Sequence, residues 1–178
     1  MNDKLRAAAL RKSSPTEHQI QSIQRNQIYL VLDRIIDTYN IGSMFRLADA
    51  IGAQKLYLCG EMETPPNSRI HKAAVGTENW VPWEKFDSTL EAVKHLKSQG
   101  IHTVAVEQHK NAVAYYDLIA PLPVAIIAGH ETEGLEKEVL EEVDTIVEIP
   151  MFGINNSFNV WGTTAVVAYK LLEEKLKA

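Results

Sequence analysis

The sequence predicts one α/β domain whose mostly parallel sheet is flanked by helices. Short apolar runs of strand length alternate with segments of helical periodicity along most of the chain. These runs are nearly continuous, as is typical of strands buried on both faces of a parallel sheet. The 178 residues suffice for one well-buried core, and no linker divides them. We therefore expect a short polar and basic extension over residues 1–25 and one domain over residues 26–178.

The order of the elements follows from the spacing of apolar residues. The run at 28–32 has the length and composition of a strand. Asn40 is a good helix N-cap, and the apolar residues after it recur at helical spacing, which predicts a helix over 41–52. The other elements predicted in this half are a strand over 56–59, a loop at 65–67 and a short helix over 69–75. A further helix is capped by Asp87 or Ser88, runs through Leu96 and is terminated by Gly100.

The second half continues the alternation. Strands are predicted over 101–106, 124–128 and 145–149, with a Glu-rich helix near 136–142. A long helix over 159–176 carries two adjacent apolar stripes, Val160/Thr164/Val167/Leu171 and Trp161/Ala165/Ala168/Leu172. So broad an apolar surface needs more than one sheet face to cover it. The second stripe is buried either within the domain or against a second subunit at a two-fold interface.

Composition and charge exclude several classes of protein. The apolar content of 46% and charged content of 23% exclude a disordered or low-complexity chain. Cys59 is the single cysteine, which leaves no disulfide framework and no multi-cysteine metal site. The charged start lacks the apolar stretch of a secretion signal, and no run approaches the ~18 apolar residues of a membrane span. We expect a cytoplasmic protein without membrane contact.

The net charge of −5 argues against a protein that coats nucleic acid indiscriminately. The charge is nevertheless uneven, because the opening stretch is basic and residues 129–148 are strongly acidic. This distribution permits local contact with an anionic polymer. A solvated basic helix explains the N-terminal charges equally well.

Loops that follow strands line the ligand sites of open α/β sheets, and three such loops carry unusual polar groups. In the first, Asn40 precedes a helix that places Arg46 on its polar side, where Gly42 leaves room for a ligand beside the guanidinium. The structural alternative is a surface Arg46 paired with Asp49.

The second and third loops are as rich in polar groups. Two glycines in 129–134 allow the backbone to approach a ligand, and Glu131 can accept hydrogen bonds from it or from a neighbouring loop. The segment 149–160 has more small polar side chains than a helix cap needs, although Ser157 or Asn159 can serve as that cap. Neither loop contains a dinucleotide G-x-G-x-x-G fingerprint or a phosphate loop.

Taken in order and with their spacing, the three motifs resemble those of the SPOUT class of RNA methyltransferases, specifically the SpoU/TrmH-type ribose 2′-O-methyltransferases. The corresponding stretches are Asn40 with Arg46, then Gly129-His-Glu131, then Ile149-Pro-Met151 with Asn156-Ser-Phe-Asn159. The segment 72–80 also resembles the middle region of this family, so the resemblance covers roughly 28–175.

The resemblance implies a C-terminal deep trefoil knot, an obligate homodimer and S-adenosyl-L-methionine as the cofactor. It implies transfer of a methyl group to a ribose 2′-hydroxyl of RNA, with tRNA favoured over rRNA and no metal required. The residues expected to contact the cofactor are Gly129, Ile149, Met151, Ser157 and Phe158. The residues expected to act in catalysis are Arg46, Asn40, Glu131, Ser157 and Asn159.

Arg46, from the same or from the opposite subunit, is expected to orient a phosphate next to the target ribose and to stabilise charge on the 2′-oxygen. A guanidinium stays protonated and therefore cannot act as a base. The cations available for phosphate contact are Arg6, Arg11, Lys12, Arg25, Arg69 and Lys72, each of which also fits ordinary surface charge. A knotted RNA-binding module without catalysis is the alternative function. A nucleotide-dependent oxidoreductase is a third, and the missing glycine fingerprint disfavours it.

Overall fold

A computed structural model describes residues 15–177 of the chain, with side chains to Glu173. The strands form one seven-stranded sheet in the order β3-β2-β1-β6-β4-β7-β5. Every strand pairing within it is parallel. The strands are β1 (Asn26–Asp33), β2 (Ala53–Cys59), β3 (Trp83–Phe86), β4 (His102–Val106), β5 (Val113–Ala114), β6 (Val124–Ala128) and β7 (Thr145–Glu148).

Helices cover both faces of the sheet, as the sequence predicts. The buried side chains of β1 alternate, with Leu30 and Leu32 in one apolar cluster and Val31 in the other. The helices are α1 (Glu17–Gln21), α2 (Thr38–Ala50), α3 (Ser68–Ala74), α4 (Thr89–Ser98), α5 (Lys137–Glu142) and α6 (Val160–Lys177). Residues of α2, α3 and α6 belong to the first cluster and those of α4 and α5 to the second, which confirms the α/β architecture.

The predicted elements are present, and two strands escaped prediction. Both lie at the ends of the strand order, where β3 is short and half-polar and β5 has two residues. Edge strands of this kind carry little apolar pattern because one side faces solvent. No helix in the described part of the chain has the length and apolar character needed to cross a membrane.

The start of α2 corrects the prediction of Asn40 as an N-cap. The helix begins at Thr38, and the carboxylate of Asp37 caps it by accepting a hydrogen bond from the Tyr39 N–H. Asp37 and Asn40 are both good capping residues, so local sequence does not decide between them. Asn40 is 6% exposed in the first turn, and its side chain bonds to distant loops instead.

Gly42 also differs from expectation, because it faces α3 and leaves no room for a ligand. A Cβ at this position would lie 2.5 Å from Ala73 Cβ, 2.7 Å from the Ile70 carbonyl oxygen and 2.8 Å from the Ala74 nitrogen. Two of these three neighbours are backbone atoms that cannot rotate away. Gly42 is therefore required for the close packing of α2 on α3.

Replacement of Gly42 by alanine is expected to lower the free energy of unfolding by about 1–3 kcal/mol, the usual cost of overpacking. Alanine is the better helix former, but that gain of about 1 kcal/mol does not relieve a backbone clash. Chemical denaturation measures the difference. Gly153→Ala is the matched control, because its Cβ would meet nothing within 4 Å. Equal stability of the Gly42 variant and the parent would contradict the packing argument.

The two apolar stripes of α6 are largely buried within the chain. Thr164, Val167 and Leu171 are buried from the first stripe, and Ala168 and Leu172 from the second. Of the two alternatives for the second stripe, burial within the chain therefore holds for Ala168 and Leu172. Only Trp161 of these residues is strongly exposed, at 43%, with Tyr169 exposed at 52% two turns further along the same helix.

Candidate active site

A cavity of about 520 Å³ opens at the carboxyl ends of β4, β6 and β7. It is lined by Asn40 and by parts of the segments 106–108, 129–134, 148–151 and 155–163. These segments follow parallel strands or precede α6, so their polar groups gather at one edge of the sheet. The volume lies within the roughly 300–1,000 Å³ of small-molecule sites.

Asn40 joins the three motif loops through its side chain. Its Nδ2 donates to Glu131 Oε1 over 3.2 Å, and its Oδ1 accepts a hydrogen bond from Asn159 Nδ2 over 3.1 Å. The amide is nearly buried and uses both its donor and its acceptor. Because each motif supplies one member of this chain of hydrogen bonds, the relative positions of the three loops are fixed.

Glu131 receives two more hydrogen bonds from the loop that leads into α2. The Ile36 N–H donates to Oε2 over 3.0 Å and the Asp37 N–H donates to Oε1 over 3.1 Å. Burial acts to raise the pKa of Glu131, but the hydrogen bonds from Ile36, Asp37 and Asn40 outweigh it and hold the pKa below its ordinary value. The carboxylate is therefore ionised at neutral pH and serves as an anionic anchor for the start of α2.

Asn159 also caps the start of α6. Its Oδ1 accepts from the Trp161 N–H over 3.1 Å, so Asn159 is the capping residue that the sequence left open between Ser157 and Asn159. Ser157 instead forms a local turn in which its N–H and hydroxyl both donate to Asn155 Oδ1, at 3.3 and 3.1 Å. Ser157 is exposed at the mouth of the cavity.

Arg34 connects the loop after β6, which contains Gly129 and Gly134, to the end of β1 through ion pairs. Its guanidinium bonds to Asp33 at 3.1 Å and to the carboxylates of Glu133 and Glu136 at 3.3 and 3.2 Å. The hydrogen bond to Asp33 is the main reason that the pKa of Arg34 is raised. The residue adopts φ 48°, a conformation that non-glycine residues rarely take, so the surrounding contacts determine its geometry.

Glu107 and Gln108 are cavity residues that the sequence analysis missed. Glu107 Oε2 accepts from the Leu135 N–H over 3.0 Å, and the Gln108 side-chain amide donates to the Asn156 carbonyl. Gly134, at φ 68°, permits the approach of Glu107, since a Cβ there would lie 2.5 Å from Oε2. Their position directly after the predicted strand 101–106 is the feature that could have marked them.

The structure brings together most of the residues singled out by the motifs. The cavity is lined by Asn40, Gly129, Glu131, Ile149, Met151, Ser157, Phe158 and Asn159. Arg46 is not among the lining residues. It is exposed on α2, without an ion-pair or hydrogen-bond partner among residues 15–173. The alternative in which Arg46 pairs with Asp49 is not observed among the described residues, and Asp49 accepts a hydrogen bond from Trp80 Nε1 over 2.6 Å.

The predicted phosphate contacts have different surroundings. Arg25 donates to the carbonyl oxygens of Ala53 and Trp80, at 2.9 and 3.0 Å, and its contact with RNA stays a prediction. Because the fold uses these donors, Arg25 attaches the N-terminal segment to the domain. Arg69 and Lys72 are exposed on α3. Arg6, Arg11 and Lys12 lie outside the described residues.

The parallel sheet and the polar cavity at its carboxyl edge define an α/β protein of the class that binds small molecules at that edge. The sequence pattern of the SpoU rRNA Methylase family matches residues 27–169. The chain belongs to this family.

Individual relatives agree with this assignment. A tRNA (guanosine(18)-2′-O)-methyltransferase of Escherichia coli K12 is 29% identical over 150 residues, which are 83% of this chain and 63% of that protein. The AdoMet-bound rRNA methyltransferase from Sinorhizobium meliloti is 27% identical with a TM-score of 0.79, over 85% of this chain and 58% of that one. This chain thus spans about three fifths of the length of both relatives.

One further solved structure supports the fold alone. The A. aeolicus TrmH/SpoU tRNA modifying enzyme is 23% identical, with a TM-score of 0.80 over 90% of this chain and 84% of that one. The architecture is therefore shared by a protein of nearly the same extent as this chain.

Proposed function

We propose that the chain is an S-adenosyl-L-methionine-dependent RNA methyltransferase that acts on a ribose 2′-hydroxyl, with tRNA as its substrate. The observation that carries this proposal is the hydrogen-bonded chain from Glu131 through Asn40 to Asn159, which joins three motif loops around one cavity. The E. coli relative is named as a tRNA 2′-O-methyltransferase and the S. meliloti relative as an AdoMet-bound rRNA methyltransferase, which supports the same chemistry here.

The residues of the cavity fit this cofactor. Gly129 and Gly134 bring backbone to its wall, where a Cβ on Gly129 would lie 3.0 Å from Leu135 and from the backbone of Gly134. We propose that Gly129, Ile149, Met151, Ser157 and Phe158 hold the cofactor. Phe158 is 56% exposed and offers an apolar ring at the mouth. When bound, S-adenosylmethionine supplies an electrophilic methyl group on a sulfonium.

Some of the residues proposed to act in catalysis position the loops, and others can contact a ligand. Asn40, Glu131 and Asn159 use their polar atoms on one another, so they position the loops around the cavity. Ser157 lies at the mouth and can contact a ligand there. Arg46 has no partner in the described residues, which leaves its guanidinium free to orient an RNA phosphate and to stabilise charge on the 2′-oxygen as its proton leaves.

We further propose that the C-terminal segment forms the deep trefoil knot of the SPOUT fold. Two contacts support the proposal. The Gln108 side chain donates to the Asn156 carbonyl, and Asn159 donates to Asn40 across 119 residues of sequence. Both contacts hold the segment before α6 against loops that come much earlier in the chain. A threaded segment would need such contacts to keep the cavity closed.

A homodimer completes the proposal, with the exposed aromatic residues of α6 at its interface. Trp161 and Tyr169 are exposed at 43% and 52% and lie on one side of the helix. Exposed aromatic side chains in a row are typical of an interface core.

Trp161→Glu is expected to convert the dimer to monomers, because it places a charge in the centre of this interface. Light scattering coupled to gel filtration measures the mass. Lys94→Glu is the control, since Lys94 is exposed on α4, which covers the face of the sheet opposite to α6. An unchanged dimer in the Trp161 variant would place the interface elsewhere.

The methyltransferase proposal is tested by incubating the protein with methyl-labelled S-adenosylmethionine and bulk tRNA or rRNA. Nuclease digestion and mass spectrometry then identify the modified nucleoside. We expect a 2′-O-methylated nucleoside from tRNA. Binding of the cofactor and of RNA without transfer would instead favour the non-catalytic module. Absence of both would contradict the proposal.

A further inference from the structure

A second concavity is lined in part by the segment 35–40, which also contributes to the cavity. Its volume is about 800 Å³, and we name it the 61–69 groove after the segment that forms one wall. Ile35, Ile36 and Thr38 also line this groove, while Asn40 of the same segment lines the cavity. One short stretch of chain thus contributes to both concavities.

The groove contains two cations that the fold does not use. Arg69 and Lys85 both line it and are exposed, and neither has an ion-pair partner among residues 15–173. Glu84, the neighbour of Lys85, is paired with Lys55 at 3.0 Å. These arginine and lysine side chains can donate to an anion such as a backbone phosphate, and two carboxylates in the groove, Glu61 and Glu63, balance their charge.

The same groove offers other groups that suit a nucleotide. Ile36 is 65% exposed and Met62 is half-buried beside it, so an apolar surface lies among the charged groups. Glu61 and Glu63 also line the groove, and Glu63 accepts a hydrogen bond from Asn67 over 3.1 Å. A nucleobase combines an apolar face with N–H donors at its edge, which matches an apolar surface bordered by carboxylates.

Hydrogen bonds connect the groove wall at Ile36 to Glu131 of the candidate active site. The N–H groups of Ile36 and Asp37 donate to Glu131, whose carboxylate also holds Asn40. A ligand that contacts Ile36 is therefore positioned relative to the cavity by a hydrogen-bonded backbone. Such rigid placement is what transfer between two bound molecules requires.

We propose that the 61–69 groove binds a nucleotide of the substrate RNA that neighbours the methylated ribose. Arg69 and Lys85 bind the phosphate of this nucleotide, and Ile36 and Met62 contact its base. This inference rests on the proposed RNA methyltransferase function and names where that substrate binds.

The test compares the parent protein with an Arg69→Ala/Lys85→Ala double variant. We expect the KM for bulk tRNA to rise about tenfold, and the slope of log binding constant against log salt to weaken by roughly 0.7–0.9 for each phosphate that the variant no longer neutralises. The dissociation constant for S-adenosylmethionine should stay within twofold, because neither residue lines the cavity. Lys94→Ala is the matched control, as Lys94 is exposed on α4 and lines neither concavity.

Photo-crosslinking gives an independent readout. Bulk tRNA carrying 4-thiouridine is expected to crosslink to the peptide that contains Met62 and Arg69. An unchanged KM and salt dependence, with crosslinks only elsewhere, would overturn the inference while leaving the methyltransferase proposal standing. A parent protein that transfers no methyl group to any RNA would overturn both.

Discussion

Arg46→Ala is expected to reduce methyl transfer to RNA by a factor of about 10²–10³, the usual cost of removing one group that stabilises developing charge. Arg46 is exposed on α2, does not line the cavity, and has no partner among the described residues. Its removal therefore breaks no interaction that holds the fold. The dissociation constant for S-adenosylmethionine should change by no more than a few-fold.

Arg46→Lys is the informative companion variant. Lysine keeps the charge but not the planar fork that bonds to a phosphate through two N–H groups. We expect it to recover only part of the rate that Arg46→Ala removes. Single-turnover kinetics measure the rate, and calorimetry measures the affinity for the cofactor. Equal reductions of rate and cofactor affinity in Arg46→Ala would reassign the residue to the cofactor site.

Glu131→Gln is expected to lower the free energy of unfolding by about 1–2 kcal/mol and methyl transfer by about 100-fold. The two carboxylate oxygens accept hydrogen bonds from Ile36, Asp37 and Asn40. Glutamine replaces one of these oxygens with an NH₂ group, which then faces a donor. The start of α2 moves as a result, and Asn40 moves with it.

The dependence of this effect on pH identifies the carboxylate as its source. The pKa of Glu131 in the folded chain lies below its ordinary value of 4.5. Its contribution to stability is therefore fully present above that value and is lost as the pH falls through the lowered pKa. Because glutamine does not titrate, the difference between parent and variant should be constant near neutral pH and shrink in acid.

Chemical denaturation at several pH values measures this difference. Glu133→Gln is the matched control, because Glu133 lies in the same loop and is exposed, with a single ion pair to Arg34. We expect it to change stability by less than about 1 kcal/mol. A difference for Glu131→Gln that persists unchanged in acid would show that the charge is not responsible.

The local spacing of apolar residues was sufficient to predict the buried strands and the long helices. Alternation along β1 sends Leu30 and Val31 to opposite faces of the sheet, and both faces are covered as predicted. The pattern failed at the edge strands β3 and β5, which are short and face solvent on one side. For α6 the pattern left open whether the same chain or a second subunit covers the second stripe, since periodicity identifies an apolar stripe and not what covers it.

The sequence by itself determined the α/β class, the order of the elements and the three motifs, because these depend on residues close together in the chain. The tertiary structure decided the use of each polar group. Asn40 looks like a cap but bonds to Asn159, which is 119 residues away, and Gly42 packs against α3. Arg25, a predicted phosphate contact, uses two of its N–H groups to donate to backbone carbonyls. The choice among partners is made by long-range packing, so local spacing cannot decide it.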